Sequence, residues 1–186
     1  MNNWNGTILY HGSYAVVESP DLNQCREGKD FGKGFYLTTS EEQARRFCKT
    51  AVGKAQKNGI SIDDPPLGYV SKYVFHMNDK LKIYEFDSAD AVWLHSVVGH
   101  RKKGLFSKEI EKYESYDIMI GKIANDNTNQ VITTYMSGLY GEIGSLQADN
   151  FAIGLLLPEK LKDQICFRTE KSFEFLEFIS SETVSI

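Results

Sequence analysis

The sequence predicts an α+β domain with antiparallel strands scattered among helices, and three observations predict it. The chain has 186 residues, 41% hydrophobic and 12% aromatic, which is one globular domain with enough apolar surface to offset the entropy of ordering. No repeat, low-complexity tract or Pro/Gly/Ser linker divides it, so a single domain spans residues 1–186. Short β-prone runs and helical patterns follow one another without a regular βαβ rhythm, which favours antiparallel pairing over a doubly wound parallel sheet.

Thr7 to Tyr10 is a short β-prone run ended by His11-Gly12-Ser13, and Gly34 to Leu37 is another, ended by Thr38-Thr39-Ser40. Ser40 opens the clearest helix: an N-cap, an acidic first turn at Glu41-Glu42, basic residues later, and Ala44, Phe47, Cys48 and Ala51 on one face. Gly53 to Pro66 is polar and reads as a loop, and Tyr69 to His76 alternates as a strand should. Leu81 to Phe86 is a further strand. Asp87 to Asp90 caps a helix running through Trp93, Leu94 and Val97 towards Gly104. Tyr116 to Ile120 is a strand closed by Gly121, and Thr128 to Leu139 and Ser145 to Leu156 are helices. Gln164 to Phe167 suits a strand, Glu170 to Phe175 a helical turn, and Leu176 to Ser180 a last strand.

Charge and composition exclude several functions. With 21 Lys plus Arg against 25 Asp plus Glu, the net charge of -4 argues against a constitutive nucleic-acid binder, which needs a basic face to displace counterions. The densest basic run, Arg101-Lys102-Lys103, reads as a solvated helix end. Cys25, Cys48 and Cys166 lack Cys-x-x-Cys spacing, so neither a disulfide framework nor a metal site is expected, and a reducing cytoplasm fits. Met1 to Thr7 is polar and uncharged, and no run approaches the length of a membrane span, so no membrane association is expected.

Two blocks carry chemistry: Tyr10-His11-Gly12-Ser13, and Asp30-Phe31-Gly32-Lys33-Gly34-Phe35-Tyr36-Leu37. Alone, His11 is better explained by a structural role. Gly12 beside it lets backbone approach a flat ligand closely and grip a carboxamide, and the histidine can donate to a ribose hydroxyl. Gly32-x-Gly34 joins no strand directly to a helix through Gly-x-Gly-x-x-Gly, which excludes a Rossmann site. A glycine-flanked entry into Phe35-Tyr36 instead offers an aromatic platform for a nicotinamide or adenine ring, unless both rings are simply core. Asp30 can face the same cleft or bond loop amides. Arg101 can meet a diphosphate or solvate its helix end.

Tyr-His-Gly-Ser, then Phe-Gly-Lys-Gly-Phe-Tyr-Leu, then Ala-Arg-Arg-Phe-Cys, in that order, resembles the NAD signature of the poly(ADP-ribose) polymerase-like, His-Tyr-Glu branch of the ADP-ribosyltransferases. The resemblance covers His11 to Cys48 well and the rest weakly. It implies two small antiparallel sheets clasping NAD between flanking helices. It also implies that His11 holds the adenosine-side ribose, that the Gly12 backbone, with Ser13 beside it, holds the nicotinamide amide, and that Tyr36 is the triad tyrosine on the strand entered through Asp30, Gly34 and Phe35. Phe47, eleven residues past Tyr36, falls where the family has a second sandwiching tyrosine, keeping the ring and losing the hydroxyl. Ala44 falls where the family has a serine that bonds the amide, a loss of about 1 kcal/mol.

The family's triad glutamate lies on a late strand, where this chain offers Gln164, with Asp163, Cys166 and Glu170 competing. A neutral amide still accepts a ribose hydroxyl. It stabilises the cationic centre less than a carboxylate, at a cost of roughly 10²- to 10³-fold in rate, so chain elongation is not expected and transfer of one ADP-ribose unit is. The resemblance thus implies mono-ADP-ribosyl transfer from NAD, as substrate, to an unidentified acceptor. A protein or small molecule suits the acidic chain better than nucleic acid, and an inhibitory partner protein is left open. A catalytically silent NAD- or ADP-ribose-binding module is the alternative. Either requires the imidazole of His11 and the phenol of Tyr36 to border one unfilled pocket.

Overall fold

The computed structural model describes residues 4–123, 126–157 and 161–186, so Met1 to Asn3 of the polar N-terminal segment lie outside the described residues. In chain order the elements are β1 (Thr7–Ser13), a 3-10 turn (Leu22–Gln24), β2 (Phe35–Thr38), α1 (Glu41–Lys57), β3 (Leu67–Phe75), β4 (Ile83–Glu85) and α2 (Ala91–Arg101). Then follow α3 (Ser107–Glu111), β5 (Ile118–Lys122), α4 (Asp126–Met136), α5 (Leu146–Leu156), β6 (Asp163–Phe167), α6 (Glu170–Phe173) and β7 (Leu176–Ser185). The α+β class holds.

Helix starts fall where the capping side chains sit. Ser40 accepts the Gln43 N–H, Asp90 the Trp93 N–H and Ser145 the Ala148 N–H, each satisfying an amide that the first turn leaves unpaired. Several boundaries differ from expectation, β7 running on to Ser185, β4 shrinking to Ile83–Glu85 and α4 lying at Asp126–Met136, and two more bear on the site. β1 runs on through His11, Gly12 and Ser13, because the nine-residue β3 keeps pairing with it at Ser71, Val70 and Tyr69. α1 continues through Gly53 to Lys57, since Val52 and Ala55 extend its buried stripe and the glycine's cost of about 1 kcal/mol is small beside that packing.

The strands form one seven-stranded mixed sheet in the order β4-β5-β6-β2-β1-β3-β7, which corrects the expectation of two separate antiparallel sheets. β4 and β5 pair in parallel and every other pairing is antiparallel. The sheet is nonetheless nearly divided. β1 and β2 share a single register pair, Tyr10 with Thr38, and beyond it they fork.

Strand alternation sorts the core onto two faces. Leu9, Phe35, Leu37, Ile165 and Phe167 pack on one, with Phe173 of α6. On the other, Met119 and Cys166 pack beneath Trp93, Val97, Ile132, Tyr135 and Ala152 of α2, α4 and α5. α1 covers Val70 and Tyr10 on this same face through Ala44 and Cys48. On this face β2 and β6 therefore lie between α1 and α2, beside the fork.

Candidate functional site

β2 and β6 pair Tyr36 with Cys166 and Thr38 with Gln164, so by alternation all four side chains point to the helix-bearing face. The Tyr36 hydroxyl donates to the Gly32 carbonyl at 2.8 Å and accepts the Phe31 N–H at 2.8 Å. The hydroxyl proton and one acceptor site are spent on the turn before β2, and burial raises the phenol's pKa well above its ordinary value. The hydroxyl is thus fixed in place and has no proton left to give a ligand. Gly32 adopts φ +78°, a left-handed conformation, and a Cβ there would lie 2.8 Å from the His100 ring.

His11 is half-buried in the fork. Its Nδ1 lies 2.8 Å from the Tyr36 carbonyl, on a stretch of β2 that β1 no longer pairs, and its ring rests on Phe35 with centroids 4.4 Å apart. A carbonyl only accepts, so Nδ1 carries the proton. Burial lowers the imidazole's pKa, which makes the neutral ring with an accepting Nε2 the ground state. A ribose hydroxyl would therefore donate to His11, the reverse of the direction expected from sequence. The imidazole and phenol are neighbours through that carbonyl, yet His11 leaves β1 and Tyr36 leaves β2 on opposite faces of the sheet, so the two do not face each other across the one pocket expected from sequence.

Gly12 packs under α1: a Cβ there would lie 2.0 Å from the Ala44 carbonyl oxygen. Its lack of a side chain thus has a packing reason beside any ligand one. Ala44, 2% exposed, is core. Ser13 is buried at the end of β1, and Gly34 is confined by the Cys166 thiol and the Phe167 carbonyl. Phe47 lies 47% exposed on the flank of α1, with Lys54 Nζ 5.9 Å from its ring centroid. No ring contact joins it to Tyr36 among the described residues.

Of the late-strand candidates, Gln164 shares the helix-bearing face with Tyr36. Asp163 pairs with Lys122 Nζ at 2.8 Å, Glu170 accepts the Leu22 N–H at 3.2 Å, and Cys166 is fully buried with its thiol pushed up to about 12 by burial. Gln164, 5% exposed, donates through Nε2 to Asp30 Oδ2 at 2.8 Å and to the Lys122 carbonyl at 3.2 Å. Asp30 Oδ1 in turn accepts Arg101 Nε at 2.8 Å and its NH2 group at 2.6 Å. Removing one member of a pair this buried typically costs about 3 to 5 kcal/mol. Arg101 thus neither solvates a helix end nor stands free for a diphosphate.

The Asp30-Gln164 contact, the Lys122 carbonyl and the Trp93 Nε1 that donates to it at 3.1 Å were not foreseen as a unit. The available signal was Asp30 itself, an acid inside a Gly- and Phe-rich block that folds inward. No cluster of three or more His, Cys, Asp or Glu side chains able to hold a metal ion occurs among the described residues, and no helix there is long and apolar enough to cross a membrane.

A family model described as "Protein of unknown function (DUF3990)" matches residues 7–178. The chain belongs to the DUF3990 family. That match begins at the first residue of β1 and ends inside β7, so the DUF3990 unit takes in the fork and every residue of the Tyr36-Gln164-Asp30 cluster. No curated protein matches the chain in sequence.

Proposed function

We propose that this DUF3990 chain is an NAD-dependent mono-ADP-ribosyltransferase with an ADP-ribosyltransferase-like fold, its NAD site lying at the fork and the face of β2 and β6 beside it. One observation carries the reading. Residues far apart in sequence converge on β2: the neutral imidazole of His11 bonds the Tyr36 carbonyl at the fork, and the Tyr36 ring shares one face of β2 and β6 with the buried amide of Gln164.

In the proposed reaction the bond between nicotinamide N1 and ribose C1′ breaks, and its electron pair leaves with nicotinamide, which becomes neutral. C1′ and the ring oxygen share the resulting positive charge until an acceptor lone pair forms the new bond, the acceptor's proton passing to solvent. His11 Nε2 would accept a hydroxyl of the adenosine-side ribose. The ring of Tyr36 and the exposed ring of Phe47 would flank the nicotinamide, and Gln164 Oε1 would accept the 2′-hydroxyl of the reacting ribose. Neutral His11 is tied down through Nδ1 and is not the general base.

The test is nicotinamide release from NAD by the purified protein, with and without cell extract as acceptor source, alongside calorimetric titration with NAD. Release supports the transferase. The neutral amide at position 164 favours the alternative of a silent binding module, and NAD binding without release would establish it. Neither binding nor release removes NAD from the account.

A further inference from the structure

An amide has one donating end and one accepting end, and its surroundings decide which way it points. Around Gln164 two pure acceptors, Asp30 Oδ2 at 2.8 Å and the Lys122 carbonyl at 3.2 Å, meet the same nitrogen. Both N–H bonds are consumed and the orientation is settled, with Oε1 on the side away from Asp30. The cradle is itself held at both ends: Arg101 grips the other oxygen of Asp30 through two nitrogens, and Trp93 Nε1 holds the Lys122 carbonyl at 3.1 Å.

We propose that Asp30 is a positioning residue that requires an amide at position 164 and aims its carbonyl oxygen at the reacting ribose. The proposal rests on the transferase reading above and adds to it the reason a glutamine stands where the resembling family has a glutamate. A carboxylate at 164 would set two anionic groups at hydrogen-bond distance with a backbone carbonyl as third acceptor and no proton among them. Like charges that close do not both ionise, so one carboxyl would keep its proton or the pair would move apart. Arg101 already offsets the charge of Asp30, so what Asp30 supplies through Gln164 is orientation more than field.

The consequence runs against simple expectation: Gln164→Glu, which restores the family's charge, lowers turnover. The second change, Asp30→Asn, turns the neighbour into a donor and makes a carboxylate at 164 acceptable. The experiment measures nicotinamide release and melting temperature for the wild type, Q164E, D30N and D30N/Q164E between pH 5 and 9.

Q164E is expected to lose about tenfold or more in kcat at pH 8 with KM changed less than about threefold, as for a group acting in the transition state. That loss shrinks towards pH 5, where the added carboxyl is protonated and donates to Asp30 as the amide did. D30N alone falls in kcat, and D30N/Q164E returns to within about threefold of the wild type or exceeds it, the non-additivity expected of directly bonded residues.

The melting temperature of Q164E falls relative to the wild type as pH rises, because a folded-state pKa raised above the unfolded value removes stability on the alkaline side, and the double variant does not show this fall. A Q164E protein as active as the wild type, with a parallel melting profile, overturns the positioning role and leaves the transferase reading standing. A wild type that neither binds NAD nor releases nicotinamide removes that reading and this proposal together.

Discussion

Gly12→Ala would place a methyl carbon 2.0 Å from the Ala44 carbonyl oxygen and 2.9 Å from its carbon, both backbone atoms of the first turns of α1. Ordinary contact begins near 3.4 Å, so β1 and α1 must part by about 1.4 Å, which is overpacking against an element that no rotamer change relieves. Ala44 and Cys48, 2% and 0% exposed, would be drawn away from Val70 by the same movement. Overpacking of this kind costs about 1 to 3 kcal/mol, and at this chain length each kcal/mol lowers the melting temperature by about 2 to 4 °C. The expected drop is thus about 2 to 12 °C by circular dichroism, with a matching fall in urea midpoint and an unchanged slope. Gly53→Ala is the control in the same helix: nothing lies within 4 Å of its Cβ position, and replacing a helix-interior glycine there should stabilise by about 0.5 to 1 kcal/mol. A Gly12→Ala protein that melts at or above the wild type would refute the close approach of α1 to β1.

Phe47→Ala removes an exposed ring, so its stability should stay within about 0.5 kcal/mol of wild type while the KM for NAD rises about 2- to 12-fold, the worth of one stacking contact; equal KM values would take Phe47 out of the site. Burial holds His100 down at about 4, so between the unfolded value of 6.5 and that point the unfolded chain binds a proton that the folded chain refuses. Stability should therefore be full above pH 6.5 and fall towards pH 4, with at most about 3 kcal/mol lost through this residue, and His100→Gln should flatten that acid limb in urea titrations; an unchanged limb would assign the loss elsewhere.

What could be read from the amino-acid order was whatever is settled locally. Ser40, Asp90 and Ser145 announce their helices because a capping oxygen and the amide it satisfies lie three residues apart. α3 carried no such sign: Phe106 enters it at φ 53° with no capping side chain. Parallel pairing of β4 with β5 was hidden because the choice of partner is made across an intervening pair of helices. At the site, the strand bearing Tyr36 and the late strand bearing Gln164 were legible as elements, and their shared face follows by alternation once the register is known. Asp30 and Gln164 are 134 residues apart, and no local pattern forecasts that one orients the other. The direction of the His11 hydrogen bond was likewise out of reach, since it depends on a carbonyl exposed only by the fork.

The near-division of the sheet at Tyr10 and Thr38 invites the thought of two units joined by a seam, but the chain's path forbids it. β1, β3 and β7 lie on one side and β2, β4, β5 and β6 on the other, so the polypeptide crosses at β1 to β2, β2 to β3, β3 to β4 and β6 to β7, four times in all. No single cut separates the two sides, and a nicked chain should survive only as two pieces that stay associated. One side waits on β6 and the other on β7, the last strand of the chain, so neither is complete until late in synthesis. Such interlacing raises sequence separation between contacts, and folding should be slow for a chain of this size.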